Sequence, residues 1–461
     1  QPTDDAVPAP GEPIPDAVAP APAPPAAPTR LEPVAAPERL AAVDVLRGFA
    51  LLGILVLNIE FFALPKGIYF DPRIAGGFTG LDLLAWKGSY VLFLEKFMSI
   101  FSMLFGAGLV LMSGRLETAG RSVRGIYYRR LLWLLLFGLA HGYLLWYGDV
   151  LYSYAVAGLL LFPLRRKSPR FLAIAGILVL ALGGLMQTGS GLFFEEMRRQ
   201  AAVLEDVRAG GKPLTPSQEG LLAGWTELAA QFKEPPEKAT REIRAYRGGY
   251  GGIVRFRAPV TLMMQTQAMI FLVLWRALGL MLLGMALMKS GVFSAQRTMK
   301  FYTTWAVLGY GIGLPLCGYG AATLIAHDFD FVHRFKIGGL FNHVGSVLVA
   351  LAHASIVMIV VKKRRVPWLT RRLAAVGRTA LSNYLLHSIV FTTIFYGYGL
   401  GLFGRIHRFP LLGFVIAMWV LQLFLAPWWV ERFRFGPFEW LWRSLTYWKR
   451  QPLRMHPSRP E

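Results

Sequence analysis

The chain has one cysteine, Cys317, among 461 residues. It therefore has no intrachain disulfide and no CxxC redox or zinc motif. Charge is also scarce. Asp, Glu, Lys and Arg make up 16% of the residues, against about 25% in a soluble domain. No HExxH, GxSxG or Walker pattern occurs. That argues against zinc proteolysis, elbow-type serine hydrolysis and ATP hydrolysis. No metal centre is expected.

What is abundant is apolar: 54% of the residues are hydrophobic. Several runs exceed the roughly 18 apolar residues that span a bilayer. The fold expected is an all-α integral membrane protein of about ten transmembrane helices. The candidate spans are 41–64, 90–112, 126–147, 149–164, 170–190, 259–288, 301–325, 339–361, 373–398 and 410–431. The third and fourth meet at a tight Gly148-Asp149 turn. The net charge of +22 fits basic cytoplasmic loops better than nucleic-acid binding, and no nucleic-acid partner is expected.

Lys and Arg counts orient the spans. Segments 113–130, 165–170, 289–300 and 362–372 hold five, four, three and six, and 432–461 holds seven. The alternate short segments 65–89, 147–149, 326–338 and 399–409 hold three, none, two and two. Both termini are therefore expected in the cytoplasm. The organisation expected is a disordered Pro/Ala-rich tail (1–36) without the apolar centre of a signal peptide, a five-helix half (37–190), an extracytoplasmic amphipathic segment (191–258), a second five-helix half (259–431) and a basic cytoplasmic tail (432–461). Gly248-Gly249-Tyr250-Gly251-Gly252 reads as a flexible turn rather than a phosphate loop, since no strand precedes it.

Polar residues inside the spans point to function. Asp44 and Arg47 sit in the first apolar run, and such charges cost about 2.5–3.5 kcal/mol each near the bilayer centre. Eleven residues make almost three helical turns, so Asn58 shares the face of Arg47. The same spacing relates Arg130 to His141 and Gln265 to Arg276. Glu95, Ser99, Ser102 and Gly106 form another stripe, and Asn342, Ser346 and His353 a third. These stripes predict a shared polar cavity. The plainer reading is hydrogen-bonded helix packing, with Arg130 and Arg378 snorkelling at cytoplasmic ends. His141, near the outer turn, is the candidate general base, with Asp149 across that turn to hold its tautomer. Glu95 is a second candidate.

The motifs Asp44-Val45-Leu46-Arg47-Gly48-Phe49-Ala50, Phe101-Ser102-Met103-Leu104-Phe105-Gly106, His141…Gly148-Asp149, Gly377-Arg378-Thr379-Ala380-Leu381-Ser382-Asn383-Tyr384 and Phe435-Gly436-Pro437-Phe438-Glu439-Trp440 resemble YeiB-like membrane proteins (domain of unknown function 418) over residues 39–455. The opening motif is also similar to that of transmembrane acyltransferases of the heparan-glucosamine acetyltransferase type. That resemblance implies transfer of an acyl group, such as acetyl, from cytoplasmic acyl-CoA to an extracytoplasmic or lipid-linked glycan or small-molecule acceptor. It implies a bacterial cytoplasmic (inner) membrane as the site. Asp44, Arg47 and Asn58 would line the donor route. Arg130, Arg276 and Arg378 would complete the set that binds the CoA donor. Those acetyltransferases carry a catalytic His in the loop after the first span. Residues 59–89 hold none, which moves the expected base to His141. A transporter for a small anionic or lipidic solute and a non-catalytic scaffold remain the competing readings, and a homodimer is an open possibility.

Overall fold

The computed structural model describes residues 41–233 and 235–455. The tail expected at 1–36 lies outside the described residues, as does the end of the 432–461 segment. Among the described residues the structure is helical, and the β pairing is an isolated bridge between Phe433 and Arg454.

Helix α1 (Ala41–Ala63) is followed by α2 (Gly80–Gly88) and α3 (Lys96–Thr118). Then come α4 (Arg124–Ala140), α5 (Leu151–Leu161), α6 (Pro169–Ala209), α7 (Pro216–Phe232), α8 (Pro236–Tyr246), α9 (Tyr250–Met263) and α10 (Leu274–Lys289). The chain continues through α11 (Met299–Ala326), the single turn α12 (Phe331–His333), α13 (Gly339–Lys363), α14 (Pro367–Arg378), α15 (Ala380–Phe395), α16 (Arg408–Arg432) and α17 (Pro437–Tyr447). Seven continuous helical stretches are long and apolar enough to cross a membrane: Ala41–Ala63, Gly80–Thr118, Pro169–Ala209, Tyr250–Lys289, Met299–Ala326, Phe331–Lys363 and Arg408–Arg432. Leu151–Leu164 and Ala380–Phe395 are apolar but shorter.

Burial ranks these helices. In its most apolar stretch α1 is 78% enclosed and α6 only 17%. α1 is therefore the centre of the bundle and α6 its wall. Ile174, Ile177, Leu178 and Leu185 of α6 stay exposed. Such a continuous apolar face suits lipid rather than water.

Starts and crossings follow from local chemistry. The Ser168 hydroxyl accepts from the Phe171 amide at 3.3 Å ahead of Pro169, which needs no partner at a first helical position. Thr215 and Gln218 close a capping box on α7. At two crossings the backbones touch. A methyl on Gly48 would strike the Leu373 carbonyl, and one on Gly377 the Asp44 carbonyl. The same reciprocity joins Gly106 to Met281 and Gly284 to Met103. Small residues permit this close contact where no hydrophobic effect separates helix from lipid.

Three expected boundaries change. The span expected at 373–398 is divided at Thr379 (φ −114°, ψ 33°). α14 lies as a separate amphipathic helix across α1, and only α15 continues inward. Residues 191–209, expected to begin a separate segment, continue α6 as one helix and stay largely exposed. Gly251 and Gly252 belong to the first turn of α9, not to a loop. α7 and α8 are short helices that follow α6. α7 closes over an aromatic cluster in which Phe194, Phe232 and Phe335 meet with ring centroids 5.2–5.5 Å apart, and α8 packs Tyr246 against Tyr396 and Phe403.

Four helices are locally widened into π turns: Ser89–Phe93, His141–Leu145, Met264–Val273 and Arg334–Gly338. Such widenings collect at functional sites. Each lies within a few residues of a polar side chain described next.

Candidate functional site

The polar side chains resolve into three groups. The first is an Asp–His–Ser chain. His141 is the first residue of a π turn at the end of α4. Asp149 follows an irregular link, and Ser388 is on α15. His141 Nδ1 lies 2.8 Å from Asp149 Oδ1 and Nε2 lies 2.7 Å from Ser388 Oγ. The His and Asp side chains are 1% and 2% exposed. Asp149 is itself held by the Tyr152 amide at 2.7 Å. A carboxylate at Nδ1 selects the Nδ1–H tautomer, which leaves Nε2 to accept the serine proton. The Tyr384 ring packs beside the imidazole at 5.2 Å, and its hydroxyl accepts from the Val150 amide.

The second group surrounds Glu95, which takes a left-handed conformation (φ 68°) between a π turn and α3. A side chain there is strained by about 1–3 kcal/mol, and such strain persists only where the surroundings enforce it. Arg276 Nη2 is 3.2 Å from Glu95 Oε2, 2.7 Å from Ser346 Oγ and 3.1 Å from Ser99 Oγ. Asn342 donates to Glu95 at 3.1 Å and accepts from fully buried Lys96 at 2.6 Å. His343 gives its Nε2 proton to the Leu180 carbonyl, so its Nδ1 receives Arg276 at 3.2 Å. Arg276 thus pairs with the Glu95 carboxylate directly, and Lys96 reaches it through Asn342.

The third group lies at the basic end. Arg47 pairs with Asp44 at 2.7 Å and reaches the Gly377 carbonyl at 3.4 Å. Arg130 stacks on Trp442 at 4.1 Å and lies within electrostatic reach of Arg47. Arg378 lies within reach of Asp44 and keeps a buried, unpartnered Nε. Nearby, Glu439 of α17 caps α15. It accepts the Leu381 and Ser382 amides at 2.6 and 3.1 Å, and the Ser382 hydroxyl. Burial pushes the Glu439 carboxyl above its usual range despite these donors, which favour its charged form.

The structure thus brings His141 to Asp149, Glu95 to Arg276, and Asp44 to Arg47 with Arg130 and Arg378 around them. It does not assemble one continuous cavity along the stripes. Leu51, Ile54 and Leu55 fill the α1 face between Arg47 and Asn58, and half-buried Asn58 makes no hydrogen bond among the described residues. Gly106 packs on backbone. His353 bonds Tyr310 at 2.7 Å, and His387 bonds Gln422 at 3.0 Å. A cleft does exist at the end opposite Arg47, Arg130 and Arg378, lined by Glu60, Phe61, Tyr69, Trp86, Ser89, Tyr90 and Arg334. No group of His, Cys, Asp and Glu among the described residues is arranged to hold a metal.

Sequence reasoning gave no role to Ser388, Tyr384 or His343. It also missed the ion pair of Glu60 with fully buried Arg408, 2.8 Å apart. The usable signal was the rarity of charge in apolar runs, which Glu60 and Arg408 satisfy. For Ser388, in a run of apolar and hydroxyl residues, there was none.

The family model described as "Protein of unknown function (DUF418)" matches residues 287–449. The chain is 30% identical over 416 residues to the uncharacterized protein YeiB of Escherichia coli strain K12, covering 88% of this chain and 96% of that protein. It is 30% identical over 436 residues to the uncharacterized protein YxaH of Bacillus subtilis strain 168, covering 92% and 98%. No solved structure matches the chain.

Proposed function

The chain belongs to the YeiB-like family of membrane proteins (DUF418), and from its geometry we propose that it is a membrane acyltransferase using cytoplasmic acyl-CoA. The observation that carries this reading is His141, held between a buried carboxylate and a hydroxyl. The pair Asp149–His141 is poised to take a proton from an attacking hydroxyl or amine, a role that contributes about 10²–10⁴-fold. Glu95 is a poorer base, because Arg276, Asn342 and Ser346 already occupy it. Its place is electrostatic.

In this reading the chain crosses the bacterial inner membrane ten times, with α4, α5 and α15 as the shorter crossings and both ends in the cytoplasm. His141 then stands about 26 Å along α4 from Arg124, close to the far face of a roughly 30 Å core. Arg47, Arg130 and Arg378 sit at the cytoplasmic mouth, where guanidinium groups suit the CoA phosphates. The pantetheine arm reaches inward only as Leu51, Ile54 and Leu55 part.

The ion pair Glu95–Arg276, flanked by π-widened helices, favours a second reading as a transporter of a small anion, since interrupted helices mark transport sites. Inverted membrane vesicles carry their own acceptor and separate the two. Vesicles from cells overproducing the chain should move label from radiolabelled acetyl-CoA into a membrane product. His141→Gln should lower the rate about 10²-fold or more. An equal rate in His141→Gln removes His141 as the base. No transferred label, together with uptake of a labelled anion, favours transport.

A further inference from the structure

We propose that Ser388 is an acyl-accepting nucleophile, so that transfer passes through an ester on Ser388 instead of going directly from thioester to acceptor. This rests on the acyl-transfer reading above and adds a covalent intermediate to it.

The first ground is the direction of the hydroxyl. A serine or threonine inside an apolar helix ordinarily satisfies its hydroxyl on the carbonyl one turn back. This chain follows that habit repeatedly. Ser99, Ser102, Ser113 and Ser290 donate to the residue four before, at 2.6–2.9 Å. Thr392, one turn beyond Ser388 on the same helix, donates to the Ser388 carbonyl at 2.6 Å. Ser388 departs from the pattern. Its hydroxyl is 2.7 Å from His141 Nε2, and its residue is fully buried.

The second ground is what stands behind the imidazole. A purely structural bond to a hydroxyl needs only a neutral ring. Here a carboxylate, buried with it, fixes the tautomer whose free nitrogen faces Ser388. This is the nucleophile–base–orienter constellation of covalent catalysis, recognised by geometry and not by sequence position. A third feature is a spare donor. The amide nitrogen of Gln265 is buried without a partner and stands against Gly142, the residue after His141. An oxyanion forming near this turn would find a donor there.

The step balances. Ser388 Oγ forms a bond to the carbonyl carbon of the acyl thioester while His141 Nε2 takes the hydroxyl proton. The carbon–sulfur bond then breaks, and His141 returns that proton to the departing thiolate. An acceptor hydroxyl or amine next attacks the Ser388 ester. Its proton passes through His141 to the serine oxygen, which restores the starting state.

The test needs no acceptor. Purified protein in lipid nanodiscs is mixed with acetyl-CoA and isotopically labelled free CoA. A Ser388 ester makes acylation reversible, so label enters acetyl-CoA, and peptide mass spectrometry places one acetyl group on Ser388 in the unaltered protein. Ser388→Ala should bind acetyl-CoA yet lose both signals, while Ser388→Cys should carry a hydroxylamine-sensitive thioester. Acetyl-CoA binding in the unaltered protein with neither exchange nor adduct overturns the serine step and leaves direct transfer standing. Exchange that survives Ser388→Ala overturns it equally. No binding of any acyl-CoA overturns the acyl-transfer reading itself, and this inference with it.

Discussion

Replacing Arg408 with Met tests how the cleft beside Glu60 is held open. Arg408 is 1% exposed at the start of α16. Its Nε donates to Glu60 at 2.8 Å, Nη1 to the Gly77 carbonyl, and Nη2 to the carbonyls of Pro72 and Ala75, each at 3.2 Å. Its own amide donates to Gly76 at 2.7 Å. One side chain thus ties α1 to the loop that roofs the cleft. In Arg408→Met the backbone bond stays, but the Glu60 carboxylate is left buried without its cation. Breaking one side of a buried pair destabilises by about 3–5 kcal/mol, mostly through the stranded charge. Glu60→Leu combined with Arg408→Met removes that charge too. The double variant should recover about 2 kcal/mol of the single variant's loss, because well-packed apolar pairs often replace buried ion pairs at little cost. A double-mutant cycle from SDS-driven unfolding in mixed micelles measures the coupling. Losses that simply add would show that Glu60 is solvated without Arg408, and the clamp would be refuted.

Three further outcomes follow from the same structure. Gly48→Val should destabilise by about 1–3 kcal/mol, because α14 cannot retreat from α1 without moving Thr379; an unchanged midpoint in the same unfolding assay would contradict the close crossing. Asp149→Asn should leave acyl-CoA affinity intact and lower transfer about 10²–10⁴-fold, measured in the vesicle assay. Glu439 has a folded-state pKa above its ordinary value, so the folded protein favours the proton. Its contribution is complete below the ordinary carboxylate range and is lost as pH rises through the raised value. Glu439→Gln should remove that slope from thermal midpoints measured across this window, and a slope retained in the variant would assign it to another group.

The legible parts of the fold were those with short-range causes. The pairing of Asp44 with Arg47 follows from one helical turn. The meeting of His141 with Asp149 follows from eight residues folded over a tight link. Helices α1, α6 and α16 announce themselves by apolar length. The break at Thr379 did not, because hydropathy runs on through 373–398 and neither proline nor a glycine of special backbone angle marks it. The arginines and apolar residues of 367–378 did carry an amphipathic period that separates α14 from a true span. Ser388 and His343 were invisible for a different reason. Their partners lie more than 60 residues away in sequence, and a small polar residue in an apolar run looks the same whether it back-bonds or faces a histidine. The π turns at His141 and before Glu95 have no compositional mark. They still decide which way those side chains point.

The most direct measurement of the account is acyl-CoA binding to the purified protein in nanodiscs, by titration calorimetry across acyl chain lengths, with Arg47→Ala beside it. A guanidinium bond to a phosphate contributes about 1.5–3 kcal/mol, so at least one acyl-CoA should bind saturably and weaken tenfold or more in Arg47→Ala. Absence of binding at every chain length, or binding that ignores Arg47, would contradict the account.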